Sequence, residues 1–184
     1  MRRIIIRPFS TPFGELLVGS YEQALCLCDW RYRRMRTTID GRIQRGLGTS
    51  FVEGTSPVIE TAMEQLEAYF TGARKDFDIP VRMVGTEFQL RVWDALVALP
   101  YGSTLSYAAL TERVAERTAI RAVASANGAN AISIIVPCHR VIGSSGELMG
   151  YAGGIPTKRS LLRLEAGIGA DRADLFSALN EEAQ

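Results

Sequence analysis

The first third of the chain carries short runs of β-branched and apolar residues at 4–6, 15–20 and 24–30, broken by Pro12, Gly14 and Gly19, which predict β-strands. Residues 41–55 hold four glycines and few large apolar groups, which predicts a mobile loop. A helix is predicted next, with Ser56 as N-cap, Pro57 as its first residue, Ile59, Met63, Leu66 and Phe70 as its apolar stripe, and Gly72 at its end. The polar stretch 73–84 reads as an inter-domain connection.

The second half is mostly helical. Thr86-Glu87-Phe88-Gln89 has the form of a capping box, and Phe88, Val92, Leu96 and Leu99 mark a buried face that Pro100 ends. Ser106 is placed to cap a helix running to about residue 115, and Thr118 to cap another running to 127 and closed by Gly128. An apolar run at 132–136 leads into Pro-Cys-His-Arg-Val, a glycine-rich loop covers 143–154, and an amphipathic helix runs from Pro156 to near Gly167. The pattern predicts an α+β protein in three parts. Residues 1–80 form a small antiparallel sheet with a helix, 81–169 a mainly helical domain, and 170–184 an acidic tail.

Composition narrows the class. At 184 residues with nearly half of them apolar, the chain suits one large or two small globular domains. No apolar run approaches the roughly 20 residues that span a bilayer, so a soluble cytoplasmic protein is expected. The net charge of +1 means that a polyanion would have to be held by local charge. Arg31, Arg33, Arg34 and Arg36 form the one obvious basic cluster, open to reading as a solvated surface or as a DNA contact. Cys26 and Cys28 are expected to share one strand face as small hydrophobes. With a single histidine, His139, no metal site is expected.

Two helices joined by a short turn suggest a helix-turn-helix. The second, Thr118-Ala-Ile-Arg-Ala-Val-Ala-Ser-Ala-Asn-Gly128, exposes mainly Ala, Ser and Asn beside Arg121, so its backbone could approach a duplex closely. An Ala-rich packing helix fits the same residues. Cys138 directly precedes His139, and an imidazole is a common means of generating a thiolate. Adjacent residues of a strand face opposite ways, so contact between the two requires a turn or a bridging water. Glu165 is a candidate to orient the imidazole. On spacing alone, a cysteine hydrolase or an inert thiol fits equally well.

Ile-Val-Pro-Cys-His-Arg-Val-Ile-Gly at 135–143 and Gly-Tyr-Ala-Gly-Gly at 150–154 resemble the active-site signature of the O6-alkylguanine-DNA alkyltransferases. The segments at 85–96, 100–107, 121–127 and 161–165 are similar to that family as well, as are, more sparsely, 11–14 and 66–72. The resemblance implies a ribonuclease-H-like N-terminal domain followed by a winged-helix-like DNA-binding domain. It implies that Cys138 accepts the alkyl group, His139 acts as base through water, and Glu165 completes the relay. Asn130 would brace the recognition helix against the active-site strand, and Tyr107 would donate to N3 of guanine.

The same resemblance implies that Arg121 fills the gap left by a flipped nucleotide, with Ser106, Tyr107, Thr118, Ala122 and Ala126 along the DNA. Val141, Tyr151, Ala152 and Gly153 would line the base pocket, the carbonyls of Cys138 and Val141 accepting from the exocyclic amine and the amide of Ala152 donating to O6. The implied partner is double-stranded DNA carrying O6-alkylguanine, with no cofactor, no metal, no membrane and no obligate protein partner. Against the family pattern, Ala131 and Ser133 stand where proline is common, and Glu116 lies in the turn before the recognition helix. Three rival readings are a lesion-binding relative without an acceptor thiol, a Cys-His hydrolase, and a regulator with a structural thiol. Cys138 argues against the first, the Arg121 helix against the second, and the 150–154 loop with Glu165 against the third.

Overall fold

A computed structural model describes residues 2–168; the acidic tail expected at 170–184 lies outside the described residues. Strand β1 (Ile4–Thr11) turns back at Pro12 and Phe13 to pair antiparallel with β2 (Gly14–Tyr21), which pairs in turn with β3 (Ala24–Trp30). After helix α1 (Arg36–Leu47), a short strand β4 (Phe51–Glu53) joins the other edge of β1 in parallel, giving the order β3-β2-β1-β4. Two expectations are corrected. The sheet is mixed rather than purely antiparallel, and residues 41–55 form most of a helix and a strand rather than a mobile loop. Gly41 and Gly46 weaken the local helical signal, but Ile39 and Ile43 are buried against the sheet and supply by packing what propensity withholds.

The sheet is covered on both faces. Helix α2 (Pro57–Phe70) packs on the face formed by Phe9, Leu16, Val18, Leu25, Cys28 and Trp30, whereas α1 covers Ile4, Tyr21, Cys26 and Leu27. A bulge where the β2–β3 register slips at Gly19 and Ser20 turns Cys26 to the α1 side. Cys26 and Cys28 therefore do not share a face. Ser56 caps α2 by accepting from the Ile59 amide, and Pro57 opens the helix, as the sequence predicts.

The stretch 73–84 docks on β3: the Leu25 amide donates to Pro80 and the Arg82 amide to Leu25, at 2.8 and 2.7 Å. Helix α3 (Glu87–Val97) follows with the predicted capping box between Thr86 and Gln89. Strand β5 (Leu105–Ser106), α4 (Tyr107–Val114), α5 (Ile120–Gly128), β6 (Val141–Ile142) and α6 (Ile155–Glu165) complete the order, with β5 and β6 paired in parallel. Helices α3, α4 and α5 pack against one another. Thr118 does not cap α5; it lies in a single 3-10 turn over Arg117–Ala119, which replaces a capped helix start. The run 132–136 is not a regular strand either, because Ile134 sits at φ +74° and breaks the ladder into single bridges. One apolar core runs unbroken from Phe9 and Leu16 through Leu66 to Trp93, Val123 and Leu161, so the sheet and the helical half share it. No described helix is long and apolar enough to cross a membrane.

Candidate active site

Pro137 ends the irregular run, and residues Cys138–Arg140 form one 3-10 turn. That turn supplies the change of direction that neighbouring thiol and imidazole require. Cys138 is buried at 4% exposure, and its Sγ accepts from Asn130 Nδ2 at 3.2 Å. The same Nδ2 donates to the Val136 carbonyl, and Asn130 Oδ1 accepts from the Ile132 amide, so one side chain ties both ends of the 130–138 segment together. Burial pushes the Cys138 thiol up, against the lowering influence of the Asn130 hydrogen bond. In the free protein the thiol is therefore held protonated.

The turn delivers His139 and Arg140 onto Glu165 at the end of α6. His139 Nε2 lies 2.8 Å from Glu165 Oε1, and Arg140 grips both carboxylate oxygens, Nε on Oε2 at 2.8 Å and Nη2 on Oε1 at 2.9 Å. The Tyr69 hydroxyl from α2 and the Gly102 amide also donate to it. Burial alone would raise the Glu165 carboxyl, but the bonds from His139 and Arg140 outweigh it and hold the group at about 2. Gly102 is confined to glycine, since it stands at φ +74° with the Glu165 carbonyl 3.0 Å from where a Cβ would be. Burial lowers His139 despite the carboxylate beside it, so the imidazole is neutral near pH 7. Its Nδ1 has no protein partner among the described residues and is the nitrogen free to take a proton.

A groove of about 1030 Å³ opens on the other side of Tyr151, whose ring stands edge-on to His139. One wall is α5, which presents Ile120, Arg121 and Ala124; another is the loop from Gly143 to Gly154; the third comes from the β1–β2 turn, the end of β3 and the segment after it, with Phe13, Trp30, Tyr32 and Met35. Arg121 and Ala122 are exposed on the outer face of α5. Tyr107 starts α4 within the groove, and its hydroxyl accepts from Asn127 Nδ2 at 3.2 Å. Three successive carbonyls at the end of α5 are held from the sheet side: Arg33 donates to Gly128 and Asn130, and Arg42 to Ala129. Cationic side chains at a helix C-terminus complement its dipole.

The structure brings together Cys138, His139, Glu165 and Asn130, with Tyr107, Arg121, Tyr151, Ala152 and Gly153 along the groove and Val141 buried beside it. Ala126 is not on the outer face: it is 3% exposed against the core, and its carbonyl accepts from Trp93 Nε1. Its place along the DNA, implied by the resemblance, is thus corrected: Ala126 lies on the core face of α5. Ser106 Oγ is occupied as the α4 cap, bound by the Ala109 amide, and Thr118 is exposed. The arginine cluster divides, Arg33 being buried on Asp29 while Arg31 and Arg34 face outward.

Sequence reading missed four residues. Tyr69 and Arg140 complete the Glu165 contacts. Lys158 is fully buried, with Nζ on the carbonyls of Val141 and Met149 at 2.6 and 2.7 Å, and burial brings it down to about 8 even though Cys138 acts to raise it. Trp30 donates from Nε1 to the Tyr151 hydroxyl at 3.1 Å. Arg140 stands within the 135–143 motif, which was the available signal for it; Lys158, between Thr157 and Arg159, carries no local signal.

Two family models match the chain: the ribonuclease-like domain of 6-O-methylguanine DNA methyltransferase over residues 4–83 and its DNA-binding domain over 87–167. A methylated-DNA–protein-cysteine methyltransferase from Mycobacterium tuberculosis is 55% identical over 104 residues, 56% of this chain and 63% of that protein. The match thus spans less than two thirds of the length of these mycobacterial relatives. A protein of the same name from Methanosarcina acetivorans is 41% identical over 157 residues, 85% of this chain and 95% of its own length. Among solved structures, Mycobacterium tuberculosis OGT in complex with DNA superposes with a TM-score of 0.77 at 40% identity, covering 94% of this chain and 98% of that one. By sequence, by both halves of its fold and by the groups gathered around Cys138, the chain belongs to the 6-O-methylguanine DNA methyltransferase family.

Proposed function

We propose that this chain repairs alkylated DNA directly, moving the alkyl group from O6 of guanine onto Cys138 in one irreversible turnover. The observation that carries the reading is the buried Asn130–Cys138 contact beside the His139–Glu165 pair, behind Tyr151, which lines the groove flanked by the Arg121 helix. An alkyl carbon on O6 of a stacked base is closed to in-line attack, so the nucleotide must leave the duplex. Helices α4 and α5 act as the helix-turn-helix, and Arg121 fills the gap, offsetting part of the few kcal/mol that flipping requires. Small exposed residues such as Ala122 let α5 approach the duplex. The DNA is double-stranded and carries O6-alkylguanine, and the three unpaired cysteines suit a reducing cytoplasm.

In the reaction, His139 takes the Cys138 proton at Nδ1 through a bridging water, and Glu165 stabilises the imidazolium. The Cys138 sulfur forms a bond to the alkyl carbon as the bond from that carbon to O6 breaks, and the electron pair stays on the base. Tyr107 donates to N3 and the Ala152 amide to O6, so the departing guanine carries little charge. The Cys138 and Val141 carbonyls receive the exocyclic amine, Lys158 fixing the second of them, and Tyr151 and Gly153 close the pocket. The product is a thioether and free guanine in DNA. No ordinary cellular thiol reverses a thioether, so each molecule acts once.

The test is intact-mass measurement after incubation with a duplex containing O6-methylguanine, with Cys138→Ser as control. A gain of one methylene mass on the Cys138 peptide, absent in the variant, is expected. Lesion binding without mass change would instead make the chain a damage-marking module, and the absence of both mass change and lesion binding would overturn the repair reading.

A further inference from the structure

Strand β3 belongs to the sheet, yet its last three residues reach the reaction half one after another. The Cys28 amide donates to the Ala131 carbonyl at 2.9 Å, and its carbonyl accepts from the Ser133 amide. Asp29 accepts from the Ser133 hydroxyl at 3.1 Å and from Arg33 at 2.8 Å. Trp30, 4% exposed, donates its indole N–H to the Tyr151 hydroxyl, with the two rings edge to face at 6.2 Å. A Cβ on Gly153 would lie 2.6 Å from the indole, so the loop backbone rests directly on it. Tyr151 in turn stands edge-on to the His139 ring at 6.4 Å. The indole also lines the groove.

We infer that Trp30 is the specificity-determining residue at the alkyl end of the pocket: it fixes Tyr151 and the Gly153 backbone, and thereby limits the size of the group that Cys138 accepts. The inference rests on the alkyl-transfer reading given above. Two properties of the side chain are at work. Its N–H donates to the Tyr151 hydroxyl, which also interacts with the Ser133 side chain, and so helps to orient the ring, and its bulk occupies space continuous with the groove. Ser133 assists by holding the adjacent wall to Asp29. The limit on substrate size is thus set from the sheet, outside the segment that carries the nucleophile.

The experiment compares single-turnover rate constants on duplexes carrying O6-methylguanine and O6-benzylguanine for wild type, Trp30→Leu and Trp30→Phe. Trp30→Leu is expected to raise the benzyl-to-methyl rate ratio at least tenfold by opening space. Trp30→Phe keeps most of the bulk but loses the donor, and is expected to raise the ratio by a smaller factor. A ratio within twofold of wild type in both, with methyl transfer retained, overturns the inference. If Trp30→Leu does not fold, Trp30→Phe decides alone, a ratio within twofold of wild type being the refuting result. Wild-type methyl transfer is the internal control: its absence would count against the repair reading, whereas its presence with an unmoved ratio counts only against Trp30.

Discussion

Glu165→Gln separates charge from shape at the centre of the site. The side chain of Glu165 is 1% exposed and that of Arg140 7%, so replacing the carboxylate leaves a buried guanidinium facing a neutral amide. The Glu165 carboxyl is held at about 2 against an ordinary 4.5, which at about 1.36 kcal/mol per pKa unit corresponds to about 3.4 kcal/mol of stability. Because the folded-state pKa is depressed, this stabilisation is complete above the unfolded value and is lost as pH falls toward the folded one. Linkage places about 2 kcal/mol of the loss between pH 6 and pH 3. Urea unfolding followed by the fluorescence of Trp30 and Trp93, both buried, measures it directly. At pH 6 the variant should be less stable by about 3 kcal/mol, and at pH 3 the difference should shrink to about 1 kcal/mol. A difference independent of pH would refute the reasoning, since the charge of Glu165 would then not be what holds the network.

Other outcomes follow from the same geometry. Asn130→Ala removes the one hydrogen bond that lowers the Cys138 thiol, so the pH at which iodoacetamide labels that cysteine should move upward; an unchanged labelling profile would show that Asn130 only positions the loop. Arg33→Ala frees the carbonyls of Gly128 and Asn130 and one arm of the buried Asp29 pair, with an expected loss of about 3 kcal/mol in denaturant; a loss below about 1 kcal/mol would mean that Arg42 holds the helix end, and Arg36 holds Asp29, unaided. An alkyl group on Cys138 has to fit where the sulfur is packed against Asn130 and the end of α5, so the reacted protein should melt several degrees below the free one. Equal melting temperatures would sink that expectation.

What could be read from the sequence was what local chemistry decides. Ser56 with Pro57 and the Thr86–Gln89 box are self-contained signals, and both caps form where they are predicted. Helix α1 was missed because its glycines speak against a helix while its support, Ile39 and Ile43 against the sheet, is tertiary. The Thr118 cap was misplaced because a 3-10 turn and an α-helix start share the same residue preferences. At the site, Cys138, His139, Glu165 and Asn130 were legible from their motifs, and they do assemble. Arg33, Lys158 and Trp30 were not, because burying a guanidinium, an ammonium or an indole N–H depends on carbonyls and hydroxyls that arrive from distant segments.

The docking of β3 on the 131–133 segment also bears on how such chains can be recombined. A half that ended after α2 would leave the amide and carbonyl of Cys28 and the indole N–H of Trp30 without the groups they now bind, and Asp29 with Arg33 and Arg36 but without Ser133. The helical half alone would bare the apolar surface that packs on Leu16, Val18 and Leu25. The boundary between the two matched segments is thus a seam in sequence but not in structure. A chimera joining this reaction half to another sheet should work only if the donor strand offers its backbone at position 28 and carries matching side chains at 29 and 30, which makes that strand end, Ser133 and the Tyr151–Gly153 loop a unit that must be inherited together.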